Sequence, residues 1–349
     1  MKVAITSVFS NLTYNSKNHR GLEATYFKQL LEENGYDVEL VGKKNRNTAE
    51  FDFYVNYTDA DWSSYDAVFI QLSTANFFGG QVGEHTEPIA RALAGYSGKI
   101  YTLVNDPRID FLDPVKVLKR FNLIQDLESE WAEIIENATY LFPGKDISKF
   151  LGRTPKNWER LDWFTYMFKH RMANKLDNKQ TNALFDFDAP KKEWDAIYYG
   201  DNRASFREQQ VRKYMPHSEK SLLVGYKTKK VPTTFSKKME HSVLLDTISK
   251  SKASLILGDA EHLDNVTTFR FYETMASDCL AAIQIEYDPN MELIQDPILR
   301  KRLYVKSSKD VENLVASYSD DLIARQKAEL RNLFDRLDIT FKITMFIRL

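Results

Sequence analysis

The chain has 349 residues, of which 43% are hydrophobic and 28% charged, and its formal net charge is −1. This composition excludes a disordered chain and a polycation, so any affinity for phosphate or nucleic acid must come from local basic clusters. The single cysteine, Cys279, excludes an internal disulfide framework and a cysteine-rich zinc site. No segment approaches the roughly 20 apolar residues of a membrane span. The opening MKVAITSVFSNLTYN resembles a strand rather than a signal peptide, so we expect a cytoplasmic protein with no membrane partner.

Short β-branched runs alternate with amphipathic segments along the first third of the chain. Strands are predicted over 2–9, 37–42, 65–73 and 99–105. Helices are predicted over 21–35, where Gly35 ends the helix, and over 88–96. Apolar strands separated by helices are typical of a parallel sheet that is covered on both faces. The stretch 107–190 is rich in aromatic and charged residues, and this pattern does not order its elements.

A polar, proline-containing break at 185–194 predicts a linker, and the alternation restarts beyond it. The strands of the second half are predicted over 195–200, 221–226, 253–258 and 280–285. Its helices are predicted over 203–214, 239–251 and 267–277. We therefore predict an α/β protein with two Rossmann-like, doubly wound parallel-sheet domains. The first covers 1–185 and is joined by a C-terminal helix at 332–349, and the second covers 190–331.

In open parallel sheets, ligands bind beyond the carboxyl ends of the strands, and an arginine-bearing segment follows one predicted strand there. In YYGDNRASFREQQ, Gly200 permits a tight turn, and Arg203 and Arg207 lie one helical turn apart. A helix N-terminus with two guanidinium groups suits a phosphate or a diphosphate. The alternative is a solvated basic face that pairs with neighbouring acids such as Glu208.

A second such segment, FRFYETMASD, carries Arg270 and Glu273 one turn apart on a helix otherwise suited to a core. An arginine for phosphate and a glutamate that accepts hydrogen bonds from both ribose hydroxyls suit a nucleotide. The alternative is an intrahelical ion pair, which contributes roughly a few tenths of a kcal/mol. Because both arginine segments belong to one half of the chain, a nucleoside diphosphate is favoured.

Three further features carry chemistry in this pattern. Asp106 lies just past a buried strand, where a carboxylate can act as a general base, although Asp-Pro also initiates turns without any chemistry. The loop NFFGG, Asn76 to Gly80, presents two aromatic rings, and GYKTKKVPTTFSKK is a dense lysine segment. Rings beside basic clusters are typical of nucleic-acid recognition. A core-capping loop and a solvated lysine run are the alternatives.

The chain resembles the DNA β-glucosyltransferase family of T-even bacteriophages in NFFGG, KIYTLVNDPRIDF, DAIYYGDNRASFR and LILGDAEHLDNVTTFRFYETMASD. The similarity runs in order from the first strand to about residue 287 and is weaker across 107–190 and after 290. It implies the GT-B fold, in which two Rossmann-like domains face a central cleft. It also implies transfer of a sugar from a UDP-sugar to 5-hydroxymethylcytosine in double-stranded DNA, with inversion at the anomeric carbon and flipping of the target base.

The resemblance implies roles for individual residues. Asp106 matches the catalytic base, and Glu23 matches the acidic residue near the donor sugar. The expected UDP-sugar site comprises Gly200, Arg203, Arg207, Met239, Arg270 and Glu273. The expected DNA-facing residues are Asn76, Phe77, Phe78, Gly79, Lys229 and Lys230. The sequence contains no visible cluster of metal ligands, so a Mg²⁺ or Mn²⁺ ion is expected only at the diphosphate itself.

The chain also departs from the family. His262 stands where the family has a tyrosine in the loop before the nucleotide helix, and the lysine segment is shorter. Both changes lie near the donor or the DNA, so glucose is the expected sugar and arabinose the alternative. A GT-B enzyme with a non-DNA acceptor stays open, as does a structural DNA-binding module that transfers nothing. No G-x-G-x-x-G follows the first strand, which disfavours a nicotinamide-dependent oxidoreductase. We expect a monomer.

Overall fold

The computed structural model of the chain describes residues 1–7, 22–44, 52–73, 84–106, 127–142, 146–148, 154–161, 191–200, 205–225, 231, 233–237, 239, 241–258 and 268–336. Contacts divide the chain into two compact units, Met1–Met167 with Asp338–Leu349, and Phe168–Leu337. Each unit has its own parallel sheet with helices in the crossover connections. The predicted class, an α/β protein with two doubly wound parallel sheets, is thereby confirmed.

The first unit is built on a parallel sheet of seven strands. These are β1 (Lys2–Thr6), β2 (Asp37–Gly42), β3 (Tyr54–Asn56), β4 (Ala67–Ser73), β5 (Lys99–Asp106), β6 (Thr139–Phe142) and β7 (Asn157–Arg160). Their order across the sheet is β3-β2-β1-β4-β5-β6-β7. The helices described in this unit are α1 (Leu22–Glu33), α2 (Thr86–Ala94) and α3 (Leu127–Asn137), with a 3₁₀ turn at Trp62–Ser64.

The second unit is built on a parallel sheet of six strands. These are β8 (Trp194–Tyr199), β9 (Ser221–Val224), β10 (Thr234–Ser236), β11 (Ser251–Ile256), β12 (Leu280–Gln284) and β13 (Tyr304–Val305). Their order is β10-β9-β8-β11-β12-β13, so the order of the strands reverses between β8 and β11. The described helices are α4 (Ser205–Tyr214), α5 (His241–Ser249), α6 (Phe269–Ala276), α7 (Pro297–Leu303), α8 (Ser308–Ala316) and α9 (Asp320–Arg336), with a 3₁₀ turn at Ile285–Tyr287.

The strands and helices predicted from the alternating pattern are present, with ends shifted by a few residues. The central strands are recognisable in the sequence because they are buried and therefore apolar. All side chains of β12 are buried, and all but one of those of β11. The short outer strands β3, β7 and β10 were not predicted. They have three or four residues and are partly exposed, so they show no continuous apolar run.

The predicted domain boundary at 331/332 falls inside α9, the last of the described helices, which runs from Asp320 to Arg336. The predicted C-terminal helix at 332–349 lies outside the described residues from 337 onward and stays a prediction. Leu333 and Phe334 are buried, and the ring of Phe334 stacks on Tyr272 of α6 with centroids 6.1 Å apart. These contacts hold α9 in the second unit as far as its described end. Of the predicted linker at 185–194, residues 185–190 lie outside the described residues, and Trp194 already belongs to β8.

A glutamine of α9 completes the end of α6. Gln326 is fully buried, and its Nε2 donates to the carbonyls of Thr274, Met275 and Cys279 at 3.2, 3.3 and 2.9 Å. Its Oε1 accepts from the backbone N–H of Ala281 at 2.9 Å. The last carbonyls of a helix have no partner within it. One side chain therefore satisfies the end of α6 and the first turn into β12, and it fixes where α6 lies.

We expect Gln326→Leu to destabilise the second unit by about 3 kcal/mol, because it leaves several buried backbone groups without hydrogen bonds. Urea unfolding monitored by circular dichroism measures the change. Arg331→Ala is the control, since Arg331 is exposed on the same helix and its loss should cost less than about 0.5 kcal/mol. Equal unfolding midpoints for Gln326→Leu and the parent chain would contradict the role of this side chain.

A buried histidine precedes α2 in the first unit. His85 is 3% exposed, and neither ring nitrogen has a hydrogen-bond partner among the described residues. Burial lowers the pKa of His85 below its usual value, the charge of Lys43 lowers that pKa further, and Glu84 opposes the change. The ring is therefore neutral at neutral pH. In the unfolded chain the same group binds a proton near its ordinary pKa of about 6.5.

The stability of the first unit should consequently depend on pH through His85. The unfolded state binds more protons than the folded state between the two pKa values, so stability is complete above about pH 6.5 and falls at lower pH. His85→Leu should remove up to about 1.4 kcal/mol per pH unit from that slope. Urea unfolding between about pH 7 and pH 5 tests this expectation, with His217→Leu, an exposed histidine of the second unit, as control. Identical slopes for His85→Leu and the parent chain would refute it.

Candidate functional site

The candidate site lies where the order of the strands reverses in the second sheet. The chain leaves β8 for α4 and leaves β11 for α6, on the two sides of the reversal. In open parallel sheets this point is a crevice at the carboxyl ends of the strands, and it is the usual place for a ligand. Each of the two helices contributes one of the predicted arginines, Arg207 on α4 and Arg270 on α6.

One tyrosine touches both arginines. The ring centroid of Tyr198, in β8, lies 5.9 Å from Cζ of Arg207 and 4.8 Å from Cζ of Arg270. Nη1 of Arg207 also donates a hydrogen bond to the hydroxyl of Tyr198. Tyr198 is fully buried and Arg207 is 8% exposed, so water screens the charge of Arg207 little. Two guanidinium groups beside one ring favour an anion with several oxygens, such as a diphosphate.

Arg270 is held by backbone carbonyls from both sides of the reversal. Its Nη2 donates to the carbonyl of Tyr199 in β8 at 2.6 Å, and its Nη1 donates to that of Leu257, just after β11, at 3.2 Å. In the part of the chain that the structure describes, Arg270 donates to these two carbonyls and forms no ion pair with Glu273, and its buried Nε has no acceptor. The alternative of an intrahelical ion pair is therefore wrong. The charge is fixed in place by neutral groups and stays available to an anion.

Two glycines make this approach possible. Gly200 follows β8 with φ +152°, and a Cβ there would lie 2.8 Å from Nη2 of Arg270. Gly225 follows β9 with φ +97°, and its Cβ would lie 2.8 Å from the carbonyl oxygen of Gly200. Both positions require glycine because of the backbone conformation and because of the close contact. The sequence indicated Gly200 only, although a glycine also directly follows the strand SLLV.

The predicted ribose-binding carboxylate has a partner that the sequence analysis missed. Glu273 of α6 is 4% exposed, and the hydroxyl of Tyr199 donates a hydrogen bond to its Oε2 at 2.8 Å. Burial, followed by the charge of Glu273, raises the pKa of Tyr199 well above its usual value. The phenol therefore stays protonated and remains a donor. Periodicity could not have indicated the pair, because Tyr199 and Glu273 lie 74 positions apart in the sequence.

The structure describes the other predicted residues of the donor site only in part. Met239 lies between β10 and α5, and its Sδ accepts a hydrogen bond from Thr247 at 3.6 Å. That contact belongs to α5 and connects Met239 with neither arginine. Arg203 lies outside the described residues, as do the predicted DNA-facing positions Asn76, Phe77, Phe78, Gly79, Lys229 and Lys230. Their roles stay predictions.

For the two predicted catalytic acids the structure gives the backbone position. Asp106 is the last residue of β5, and its Cα is paired with that of Ser73 at the end of β4, where the register shifts. Glu23 lies in the first turn of α1, the helix that follows β1. Because β1, β4 and β5 are neighbouring parallel strands, both acids belong to the carboxyl edge of the first sheet. That is the edge at which chemistry is expected in such a fold.

The described residues contain no group of three or more His, Cys, Asp or Glu side chains that could hold a metal ion. Arg207 and Arg270 place two positive charges beside the ring of Tyr198, which suits an anion rather than a cation. Among the described helices, none combines the length and the apolar character needed to cross a membrane.

Known proteins match both the sequence and the fold. Residues 1–130 match the family model of Bacteriophage T4 beta-glucosyltransferase. The DNA beta-glucosyltransferase of Enterobacteria phage T4 is 26% identical over 350 residues, which cover 94% of this chain and 92% of that protein. T4 phage BGT in complex with UDP and Mn²⁺ matches over 100% of both chains, with a TM-score of 0.72 and 23% identity. An alpha-glucosyltransferase in complex with UDP and a 13-mer DNA matches over 99% of both chains, with a TM-score of 0.54 and 12% identity. The resemblance seen in the sequence is confirmed: the chain is homologous to DNA beta-glucosyltransferase.

We expect Gly200→Ala to weaken the binding of UDP by about tenfold or more, because the added methyl group collides with Nη2 of Arg270 and moves a charged hydrogen-bond donor. Isothermal titration calorimetry measures the dissociation constant. Gly95→Ala is the control, since the nearest atom to a Cβ there is 3.8 Å away. If Gly200→Ala bound UDP as tightly as Gly95→Ala, the close contact would have no part in ligand binding.

Proposed function

We propose that this chain transfers a sugar from a UDP-sugar to 5-hydroxymethylcytosine in double-stranded DNA, with inversion at the anomeric carbon and with glucose as the sugar. The observation that carries the proposal is the convergence of Arg207 and Arg270 on Tyr198, at the reversal of the second sheet. This is a site for a diphosphate, in a chain homologous over 94% of its length to a DNA beta-glucosyltransferase.

The donor is bound by the second unit in this proposal. Arg207 and Arg270, with Arg203, bind the diphosphate, and Gly200 allows the close approach of the backbone. Glu273 accepts hydrogen bonds from the ribose hydroxyls, and the backbone near Met239 meets the uracil. Solved structures of T4 phage BGT contain UDP and UDP-glucose, which supports a UDP-sugar as the donor.

The transfer is a single displacement. The carboxylate of Asp106 takes the proton of the acceptor hydroxymethyl group while the oxygen of that group forms a bond with the anomeric carbon. The bond from the anomeric carbon to the diphosphate breaks, and its electron pair leaves with UDP. The guanidinium groups stabilise the negative charge that develops on the leaving group. Attack from the opposite side inverts the anomeric carbon, and Glu23 lies near the donor sugar.

A divalent metal ion has no step of its own in this mechanism. The arginine site fits an anion, and the described residues offer no cage of metal ligands. A Mn²⁺ ion accompanies UDP in a structure of T4 phage BGT. In the present chain such an ion would take its ligands from the diphosphate oxygens, where it would neutralise charge.

The acceptor is reached by flipping the modified base out of the duplex, because the hydroxymethyl group is hindered within the stack. The loop residues Asn76, Phe77, Phe78 and Gly79 are proposed to fill the space left in the duplex. Lys229 and Lys230 are proposed to contact phosphates, which supply most of the affinity in such complexes. The reaction would take place as a monomer in the cytoplasm of an infected bacterium, where phage DNA is made.

The proposal is tested by incubating the chain with a 5-hydroxymethylcytosine duplex and with UDP-glucose or UDP-arabinose, followed by mass spectrometry of the nucleosides. We expect the mass of one hexose to be added. UDP-arabinose is included because His262 replaces a tyrosine of the family near the donor. A duplex that gains no mass with any UDP-sugar, while a small-molecule acceptor does, would refute DNA as the substrate.

Asp106→Asn should lower the rate of transfer by roughly 10²–10⁴-fold in the same assay, because the amide cannot accept the proton of the hydroxymethyl group. Its affinity for UDP should be unchanged in calorimetry, because UDP binding is assigned to the second unit. Asp52→Asn is the matched control, since Asp52 is an exposed carboxylate of the same unit. Full activity of Asp106→Asn would remove Asp106 from the mechanism.

A further inference from the structure

Two neighbouring tyrosines at the end of β8 serve different parts of the candidate donor site. The hydroxyl of Tyr198 accepts a hydrogen bond from Arg207, whereas the hydroxyl of Tyr199 donates one to Oε2 of Glu273 at 2.8 Å. Successive side chains of a strand point to opposite faces, and the two hydroxyls bind different helices, α4 and α6. Both tyrosines are buried: Tyr198 is fully buried and Tyr199 is 8% exposed.

Tyr199 is attached to both functional residues of α6. Its backbone carbonyl accepts from Nη2 of Arg270 at 2.6 Å, and its hydroxyl binds the carboxylate of Glu273. The carboxylate torsion of a glutamate is broad when nothing holds it. A hydrogen bond to one oxygen restricts this rotation before a ligand arrives, which lowers the entropy lost on binding.

We propose that Tyr199 is a positioning residue that orients Glu273 toward the donor ribose, and that it thereby makes the site select a ribonucleotide over a 2′-deoxyribonucleotide. This inference rests on the proposed function, in which Glu273 binds the ribose hydroxyls. A site arranged to hydrogen-bond a hydroxyl rejects an analogue that lacks it, because the analogue forms one hydrogen bond fewer with the carboxylate. The rejection is strong only when the carboxylate cannot turn to another partner, and the bond from Tyr199 supplies that restraint.

The test compares the dissociation constants of UDP and of 2′-deoxy-UDP by isothermal titration calorimetry. The parent chain should bind UDP more tightly than 2′-deoxy-UDP. Tyr199→Phe should reduce that preference by roughly five- to tenfold, mainly by weakening the binding of UDP. Tyr198→Phe is the matched control, since it removes a buried hydroxyl one position away that serves Arg207. It should weaken both nucleotides by the same factor, so that their ratio stays within about twofold of the parent value.

A third measurement shows whether Tyr199 acts through Glu273. In a Glu273→Ala background, the further change Tyr199→Phe should leave the ratio of the two dissociation constants unaltered. If Tyr199→Phe instead caused a general loss of structure, it would weaken the binding of both nucleotides by the same factor. It would also lower the melting temperature of every variant that carries this substitution.

The inference is overturned if Tyr199→Phe leaves the ratio of the two dissociation constants unchanged, or if that ratio falls further in the double variant. In either case, UDP binding by the parent chain still supports the proposed function. A parent chain that binds neither nucleotide overturns both. Equal affinity of the parent chain for UDP and 2′-deoxy-UDP overturns the inference alone.

Discussion

The guanidinium of Arg270 lies across the point at which the second sheet reverses, and the candidate site is built around this one arrangement. Its hydrogen bonds go to the carbonyl of Tyr199, which ends β8, and to that of Leu257, which directly follows the adjacent strand β11. A cation held by neutral backbone groups keeps its charge for a ligand, whereas a cation paired with a carboxylate would lose much of it. The glycine at position 200 follows from the same contact, since any side chain there would displace the guanidinium.

Several buried polar groups around this cation have a partner from a distant part of the second unit. Tyr199 holds Glu273, and Gln326 of α9 satisfies the carbonyls at the end of α6. Gln284, at the end of β12, accepts from the N–H of Gly258 at 3.2 Å and donates to Gln210 of α4 at 3.2 Å. Such networks are rigid when every member is satisfied and costly when one is missing. The helices that carry the arginines are therefore fixed at both ends of the site before any ligand binds.

The two units contribute different parts to the proposed reaction. The second unit supplies positive charge and hydrogen-bond acceptors for a nucleotide, and the first supplies the carboxyl edge to which Asp106 and Glu23 belong. A doubly wound sheet suits both tasks because its crossovers bring loops and helix N-termini to one edge. The family model matches residues 1–130, which include both acids, and the T4 enzyme is similar along nearly the whole chain.

The sequence by itself determined the fold class, most central strands and the local groups of candidate residues. Apolar strands such as ASLILG and the pair Arg270 and Glu273, one turn apart, are properties of neighbouring positions, so periodicity is enough to find them. Tertiary structure alone decided which strand ends meet. It joined Tyr199 to Glu273, set Gly225 against Gly200, and placed Gln326 at the end of α6. Those contacts link residues that are far apart in sequence. The order of the parallel strands in the sheet brings these residues together, and no local sequence pattern encodes that order.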